Sequence, residues 1–181
     1  NDALDLMTTE AVVVRSVFSG SGDKGISVGE SSDLFGVNNI LIDNQIGVQS
    51  KDASTAILFN QSFKNNGTAL HAYKKNWQYG TGGTIVLGKS IVSGGKIAAR
   101  AQKQSTIQLF DSFVEGRLGN KRITLIDTDT NQKRDAKSDK YLPENSLALP
   151  KIYAAVDRLT KEQAGVWQQV NSNLRGARQF E

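Results

Sequence analysis

Ionisable residues recur at a fixed spacing in the first half of the chain, and their stacking would create a charge problem that needs a chemical solution. Thr8, Glu30, Asp52 and Lys74 follow one another at steps of 22 residues (30−8, 52−30 and 74−52), and Lys103 continues the column after a longer step. If that step is one turn of a repeated structure, Glu30 lies over Asp52 at about one strand spacing, ~4.8 Å. Carboxylates so close repel each other unless they are neutralised. Either a lysine ladder made of Lys24, Lys51 and Lys74 or a hard cation such as Ca²⁺ would neutralise them.

The string DTDTNQKRD, residues 127–135, offers a second candidate calcium site. Oxygen-bearing residues stand at positions 1, 3, 5 and 9 of a possible calcium loop: Asp127, Asp129, Asn131 and Asp135. Gln132 occupies the place where such a loop needs glycine, and Ser138 stands where a bidentate glutamate is expected. A polar turn without metal therefore explains the string equally well.

A further set of residues suits the binding of a sugar chain. A column beside the first one contains Asp5, Ser27, Gln49, His71 and, with looser spacing, Arg100. The inserted string NWQYGTGG adds exposed aromatic residues, on whose flat faces sugar rings could stack, although these aromatics could equally cover the side of the fourth repeat. The predicted contact face consists of Asp5, Lys24, Gln49, Tyr73, Trp77, Tyr79 and Arg100.

Repeats of about 22 residues must position these side chains. Small residues share one column: Ala3, Gly25, Gly47 and Ala69. The spacing predicts two further columns of apolar residues. One is made of Val14, Val37, Phe59, Leu87 and Leu109, and the other of Phe18, Leu41, Phe63, Ile91 and Phe113. Each copy holds short alternating segments bounded by Gly, Asn, Asp and Ser, with too few apolar residues to fold alone.

Stacking the copies buries what a single copy cannot. The sequence therefore predicts a right-handed parallel β-helix of about five rungs, with Ile26 and Val28 pointing inward and Asn38 stacked over Asn60 at a turn. An antiparallel, lipocalin-like barrel is the competing fold, but such a barrel does not require similar residues to recur at equivalent positions of every repeat.

The chain divides into three predicted parts. Residues 1–120 form the rungs, residues 121–149 a final strand and connector, and residues 150–176 an amphipathic helix that caps the solenoid. The apolar stripe of that helix contains Ile152, Val156, Leu159, Val166, Val170 and Leu174. The first rung lacks a visible cap, so another protein segment is expected to cover it.

Composition excludes several functional classes. The chain of 181 residues has no cysteine and a net charge of +4, so disulfides and thiolate metal sites are absent. Its basic residues alternate with acidic ones rather than forming a basic face, which argues against nucleic-acid binding. No apolar run reaches the roughly 20 residues needed to span a bilayer.

The strings GDKGISVGESS, IGVQSKDAS and ALHAYKKNWQYGTGG resemble the repeats of bacterial extracellular right-handed β-helix proteins, some of which accompany CotH-type or lamin-tail domains. This resemblance covers roughly residues 1–115 and implies an extracellular or cell-surface location without fixing an activity. A weaker similarity is to β-helical polysaccharide lyases of the chondroitinase B and alginate lyase group. In those lyases one rung ends in Ser-Lys-Ser, and an arginine follows one turn later. In this chain Ser50, Lys51 and Asp52 match the first element, and His71 or Ala72 stands where the arginine is expected.

These observations leave three functions open. The first is an extracellular β-helix module that binds acidic polysaccharide or acts as a rigid surface scaffold, as part of a larger protein or assembly. The second is a lyase or epimerase acting on uronate glycans, as the weaker similarity implies, with Lys51 as base, His71 as acid or second base, and Lys74 or Arg100 binding the carboxylate. The third is a purely structural segment stacked on a partner chain.

Overall fold

The computed structural model describes residues 1–119 and 122–130, which form eighteen short strands wound into six successive rungs. The first three rungs are β1 (Leu4–Met7), β2 (Glu10–Val14), β3 (Val17–Ser19); β4 (Lys24–Gly29), β5 (Asp33–Val37), β6 (Ile40–Ile42); and β7 (Ile46–Lys51), β8 (Thr55–Phe59), β9 (Ser62–Lys64). The last three are β10 (Thr68–Tyr73), β11 (Thr84–Gly88), β12 (Ile91–Ser93); β13 (Ile97–Ala101), β14 (Thr106–Phe110), β15 (Phe113–Val114); and β16 (Arg117–Leu118), β17 (Ile123–Ile126), β18 (Asp129–Thr130).

Every rung contributes one strand to each of three parallel sheets. Sheet A runs β1-β4-β7-β10-β13-β16, sheet B runs β2-β5-β8-β11-β14-β17, and sheet C runs β3-β6-β9-β12-β15-β18. This arrangement is a parallel β-helix, as the repeats predict, and its parallel pairing excludes the antiparallel barrel. It has six rungs rather than about five, since β16, β17 and β18 complete one further turn.

The corners between sheets explain the small polar residues that bound each repeat. Asn38 and Asn60 adopt positive φ angles of 57° and 52°, a conformation that asparagine tolerates better than most residues. The side-chain amide of Asn60 donates to Asn38 Oδ1, which confirms the predicted amide ladder. At another corner, Asn44 Nδ2 donates to Asn66 Oδ1 at 3.0 Å. Because these corner amides bond to one another and to backbone, their burial leaves few polar groups unpaired.

The core is a column of apolar side chains inside the solenoid. Ile26, Val28, Val48 and Leu70 point inward as predicted and are fully buried. Phe63 stacks over Leu41 in sheet C, with each residue paired to the other across the two strands. The inward face of every sheet belongs to this one cluster, so each rung is stabilised by its neighbours above and below.

Two of the predicted apolar columns are wrong by one residue from the fourth rung onward. Phe59 pairs with Gly88, not Leu87, and Phe63 pairs with Val92, not Ile91. The same slip puts Phe110 and Val114 where Leu109 and Phe113 were expected. The inserted loop lengthens the step to 29 residues (88−59) instead of 28, and a shift by one residue sends each side chain to the opposite face of its sheet.

The predicted connector over 131–149 and the helix over 150–176 lie outside the described residues. Within the described part, no helix has the length and apolar character that crossing a bilayer would require.

Candidate functional site

The outer face of sheet A carries the predicted column of polar side chains. Pairing runs from Asp5 to Ser27, Gln49, His71 and Arg100, in register across five rungs. Asp5 and Arg100 are exposed, whereas Ser27 and Gln49 are buried and His71 is half-buried. Asp5 lies two rungs from Gln49 and three rungs from His71 along this column.

His71 is held from both sides by amides. Its Nδ1 lies 3.0 Å from Gln49 Nε2, and its Nε2 lies 3.2 Å from Gln102 Nε2. A neutral imidazole has one N–H, so one amide must present its oxygen as acceptor, and Gln49 Oε1 has no other partner. The ring stacks on Tyr73 with centroids 5.0 Å apart.

Burial sets the ionisation of this stacked pair. Loss of water around the ring, together with the positive charges of Arg100 and Lys24, lowers the pKa of His71 from 6.5 to about 4. Burial likewise raises the pKa of Tyr73 above its usual value, although Lys24 opposes that rise. Both rings are therefore neutral at physiological pH, which suits them for stacking and hydrogen bonding.

Lys51 lies flat on the outer face rather than projecting from it. The side chain crosses Gly29, where an added Cβ would collide with Lys51 Cε. Its Nζ lies 3.4 Å from Ser27 Oγ, and the residue is 9% exposed. The absence of a side chain at Gly29 thus creates the groove in which Lys51 packs.

The carboxylate of Asp52 is satisfied by backbone donors. Its Oδ1 accepts from the N–H groups of Lys75 and Asn76 at 2.7 and 2.8 Å, and Asp52 is 1% exposed. These bonds fix the start of the inserted loop. Neither predicted way of neutralising Glu30 and Asp52 is seen among the described residues, where the ion pairs join Lys24 to Asp2 and to Asp23.

The Lys24 ion pairs tie the first two rungs together. The hydrogen bond from Lys24 lowers the pKa of Asp23. Burial alone would lower the pKa of Lys24, but the bonds to Asp23 and Asp2 outweigh it and raise that pKa. Lys24 therefore belongs to a structural pair rather than to an open contact surface.

The inserted loop and the following rung enclose an open cleft of about 360 Å³. Its lining contains three lysines and no acid: Lys74, Lys75, Trp77, Gln102, Lys103 and Gln104. Trp77 is 86% exposed at its edge, and Lys74 Nζ donates to the Gly80 carbonyl at 3.0 Å. Tyr79, predicted as a contact residue, is partly exposed but does not line the cleft.

Gln102 and Gln104 were missed by the sequence analysis. They follow β13, and the step of 29 residues across the insertion places Gln102 beside Tyr73 (102−73) and Lys103 beside Lys74 (103−74). The same step separates His71 from Arg100 in the predicted column (100−71), but it was not extended to the glutamines that follow β13. Gln104 also holds the loop, because its carbonyl accepts from Gly82 N at 2.8 Å and from Thr81 Oγ1 at 3.0 Å.

The predicted calcium sites receive no support from the described residues. Asp127 stands at a corner with a φ of 45°, and Asp129 begins β18; Asn131 and Asp135 lie outside the described part of the chain. Within residues 1–119 and 122–130, no three His, Cys, Asp or Glu side chains gather closely enough to hold a metal ion.

Comparison with known proteins supports the fold and the cellular location. The family described as "Periplasmic copper-binding protein (NosD)" matches residues 1–109. No curated protein and no solved structure gave a significant match. The match indicates a periplasmic family, in agreement with the predicted location outside the cytoplasm. The comparisons show no similarity to CotH-type or lamin-tail proteins or to polysaccharide lyases.

The copper named in that family description does not fit the side chains present. Copper sites use imidazole nitrogen, thiolate or thioether sulfur, and this chain has one His, one Met and no Cys. Both ring nitrogens of His71 face amide groups. Met7 lies three rungs away, about 14 Å at one strand spacing per rung. These donors cannot form a copper site together.

Proposed function

On the premise that this chain belongs to the NosD family of periplasmic β-helix proteins, we propose that it binds acidic polysaccharide through the cleft between the inserted loop and the fifth rung. The observation that carries this proposal is the lining of that cleft. Lys74, Lys75 and Lys103 contribute three positive charges without a carboxylate among the lining residues. An anionic ligand would relieve their mutual repulsion.

Register brings two of these lysines together. Lys74 and Lys103 follow paired strands at equivalent positions, about one strand spacing (~4.8 Å) apart in the backbone. A carboxylate or sulfate group between them would contact both ammonium groups. Because uronate and sulfated glycans repeat such groups along the chain, they match a partly open cleft with several lysines better than a small anion does.

Trp77 supplies the second half of sugar recognition. Its indole is 86% exposed beside the lysines, and an exposed aromatic face offers apolar contact to the C–H side of a sugar ring. The loop that carries it is anchored below by Asp52 and above by Gln104. That anchoring reduces the entropy lost when a ligand binds.

The lyase alternative has less support than binding. Elimination needs a base that can reach the sugar, whereas Lys51 is 9% exposed and lies against Ser27. His71, with its pKa lowered to about 4 by burial, is neutral at physiological pH and contacts two amides. We therefore place ligand binding, not catalysis, on this face.

A scaffold role is favoured by a separate observation at the first rung. Met7 and Val17 are 55% and 54% exposed there, and Val12 is 38% exposed. Strands β1, β2 and β3 each lack a pairing strand on one side within the described chain. We propose that another protein segment of β-strand character stacks on this rung, which would satisfy the open backbone groups.

The test of glycan binding compares variants against a panel of polymers. Alginate, polygalacturonate and heparin would be titrated by calorimetry, with dextran as the uncharged control. Trp77→Ala and Lys103→Ala should each weaken binding to the preferred acidic polymer about tenfold, as expected for loss of roughly 1.4 kcal/mol. Lys64→Ala, which removes an exposed lysine from sheet C, should leave the affinity unchanged.

Two outcomes would overturn the proposal. Equal weakening by Lys64→Ala would mean that net charge alone attracts the polymer. If the unchanged protein bound none of the acidic polymers, the proposed glycan-binding function would be wrong. An ultraviolet assay for unsaturated sugar in the same samples should show no product, and its appearance would favour the lyase alternative.

A further inference from the structure

The outer face of sheet B carries an apolar band along the middle and the ends of its strands, unlike an ordinary solvent-facing sheet surface. Its residues alternate along each strand with the inward side chains of the core. We define the sheet B outer face by the apolar members of these outward positions: Val12, Val14, Phe35, Val37, Ile57, Phe59, Val86, Phe110 and Ile126. A polar residue also stands outward at the start of each of the first five strands, and two more lie in the last two rungs: Glu10, Asp33, Thr55, Thr84, Thr106, Gln108 and Thr124.

Aromatic rings form a continuous row on this face. The ring centroids of Phe35 and Phe59 are 6.1 Å apart, and those of Phe59 and Phe110 are 5.5 Å apart. Phe110 reaches Phe59 across Gly88, where an added Cβ would collide with the Phe110 ring. The row runs along the solenoid axis, so it presents one long apolar surface rather than scattered side chains.

The central rungs of the face are shielded from water. Phe35, Phe59 and Val86 are only 5%, 4% and 4% exposed, whereas Val12 at the end of the same face is 38% exposed. Among the described elements, the principal contacts of β5, β8 and β11 are with their sheet neighbours and with β7 and β10 around the solenoid. The described strands therefore supply no second layer over this face.

We propose that the C-terminal segment, residues 150–176, docks on the sheet B outer face as an amphipathic helix. The sequence predicts its apolar stripe, from Ile152 to Leu174, at helical spacing. At 1.5 Å per residue that stripe would be about 33 Å long. Six strands at ~4.8 Å spacing extend about 24 Å between the first and the last, so the stripe is long enough to cover the face.

The chain can reach this position. The last described strand, β18, ends at Thr130 in the sixth rung. Residues 131–149 then supply 19 residues (149−131+1) before the predicted helix, and an extended chain covers up to about 3.3 Å per residue. The cleft residues lie at the corner between sheets A and B and do not belong to the apolar band, so this proposal does not rest on glycan binding.

The experiment places charges on the stripe of the full-length chain. Val156→Glu with Val170→Glu would be compared with Gln168→Glu with Ser172→Glu, which adds the same charge on the opposite side of the predicted helix. Hydrogen exchange measured by mass spectrometry should show that residues 150–176 lose protection in the first variant only. Binding of the dye ANS should rise several-fold in that variant, since the phenylalanine row becomes accessible.

A second pair of variants tests the sheet side of the contact. Ile57→Thr with Val86→Thr keeps β-branched side chains but makes the face polar, and Gln108→Thr is the matched control on the same sheet. The first should lower protection of residues 150–176 while β5, β8 and β11 remain protected, which shows that the solenoid is still folded. The control should leave both regions unchanged.

Three results would overturn the proposal. The first is absence of protection over residues 150–176 in the unchanged protein. The second is equal loss of protection in the stripe variant and its charge-matched control. The third is protection that appears only as protein concentration rises, which would assign the face to contact between copies of the chain.

Discussion

The outer faces of sheets A and B are built on the same rungs yet carry opposite chemistry. On sheet A the outward positions hold Gln49, Lys51, His71 and Arg100. On sheet B an apolar band that includes Phe59, Val86 and Phe110 crosses the corresponding rungs. The inward positions of both sheets are apolar and belong to one core. The inward residues therefore specify the solenoid, and the outward residues specify what each face contacts.

Glycine serves both faces in the same way. Gly29 makes room for Lys51 on sheet A, and Gly88 makes room for Phe110 on sheet B. In each case a long side chain from the next rung lies across the gap. The difference is that Lys51 can swing out into water at little cost, whereas Phe110 would expose apolar surface.

The largest expected effect comes from breaking the core that both faces share. Leu87 is fully buried inside sheet B, so Leu87→Ala should lower the free energy of unfolding by about 2–5 kcal/mol. Denaturant unfolding followed by circular dichroism would measure this loss. Arg100→Ala, on an exposed outward position, should change stability by no more than about 0.5 kcal/mol. Equal losses would contradict the assignment of inward and outward faces.

The anchoring of the inserted loop should give the next largest effect. Asp52→Ala removes the acceptor of two backbone N–H groups, so we expect a loss of about 1–3 kcal/mol in unfolding free energy. Hydrogen exchange of Lys75 and Asn76 should accelerate in the same variant. Asp5→Ala is the control, since Asp5 is exposed on the same sheet, and a loss there as large as at Asp52 would contradict this account.

The two glycines allow a direct comparison of the faces. Gly88→Ala should destabilise by about 1–3 kcal/mol, because the Phe110 ring must be displaced from an apolar row. Gly29→Ala should cost less, since only the flexible end of Lys51 must move. Thermal unfolding of the two variants in parallel would measure the difference. A larger cost at Gly29 would show that Lys51 packing matters more than the structure suggests.

The smallest effect concerns the ionisation of His71. Its pKa in the folded state is lowered to about 4 by burial, below the value near 6.5 of an unfolded chain. The unfolded state therefore binds the proton more readily, and stability should fall as pH drops from about 6.5 towards 4. Proton NMR of the single imidazole should give a midpoint near pH 4.

The variant His71→Gln should remove part of that acid sensitivity, so its stability should differ less between pH 8 and pH 4.5 than that of the unchanged protein. Unfolding curves at pH 4.5 and pH 8 would measure this. A titration midpoint near 6.5, or an unchanged pH dependence in the variant, would contradict the burial of the ring.

Much of the fold could be predicted because its repeats impose a strict register. The column from Asp5 to Arg100 and the inward positions Ile26 and Val28 are confirmed. The error began at the insertion, where loop residues lack the alternation that fixes register. Counting that loop one residue short exchanged Leu87 with Gly88, and thus an inward position with an outward one.

The candidate site was harder to predict for a related reason. Gln102 belongs to the site only because the rung after the insertion places it beside Tyr73 and within hydrogen-bond distance of His71. The role of Asp52 was also hidden, since the sequence shows a carboxylate facing Glu30 but not the backbone N–H groups that satisfy it. Such contacts depend on the path of the loop, which local pattern does not determine.

The most direct test of this division between faces is an NMR titration of the labelled protein with an oligosaccharide of the preferred acidic polymer. We predict that chemical shifts change for Lys74, Trp77, Gln102 and Lys103, while residues of β5 and β8 on sheet B stay unchanged. Shift changes centred on the sheet B outer face, or spread evenly over all three sheets, would contradict the assignment of ligand binding to the cleft beside sheet A.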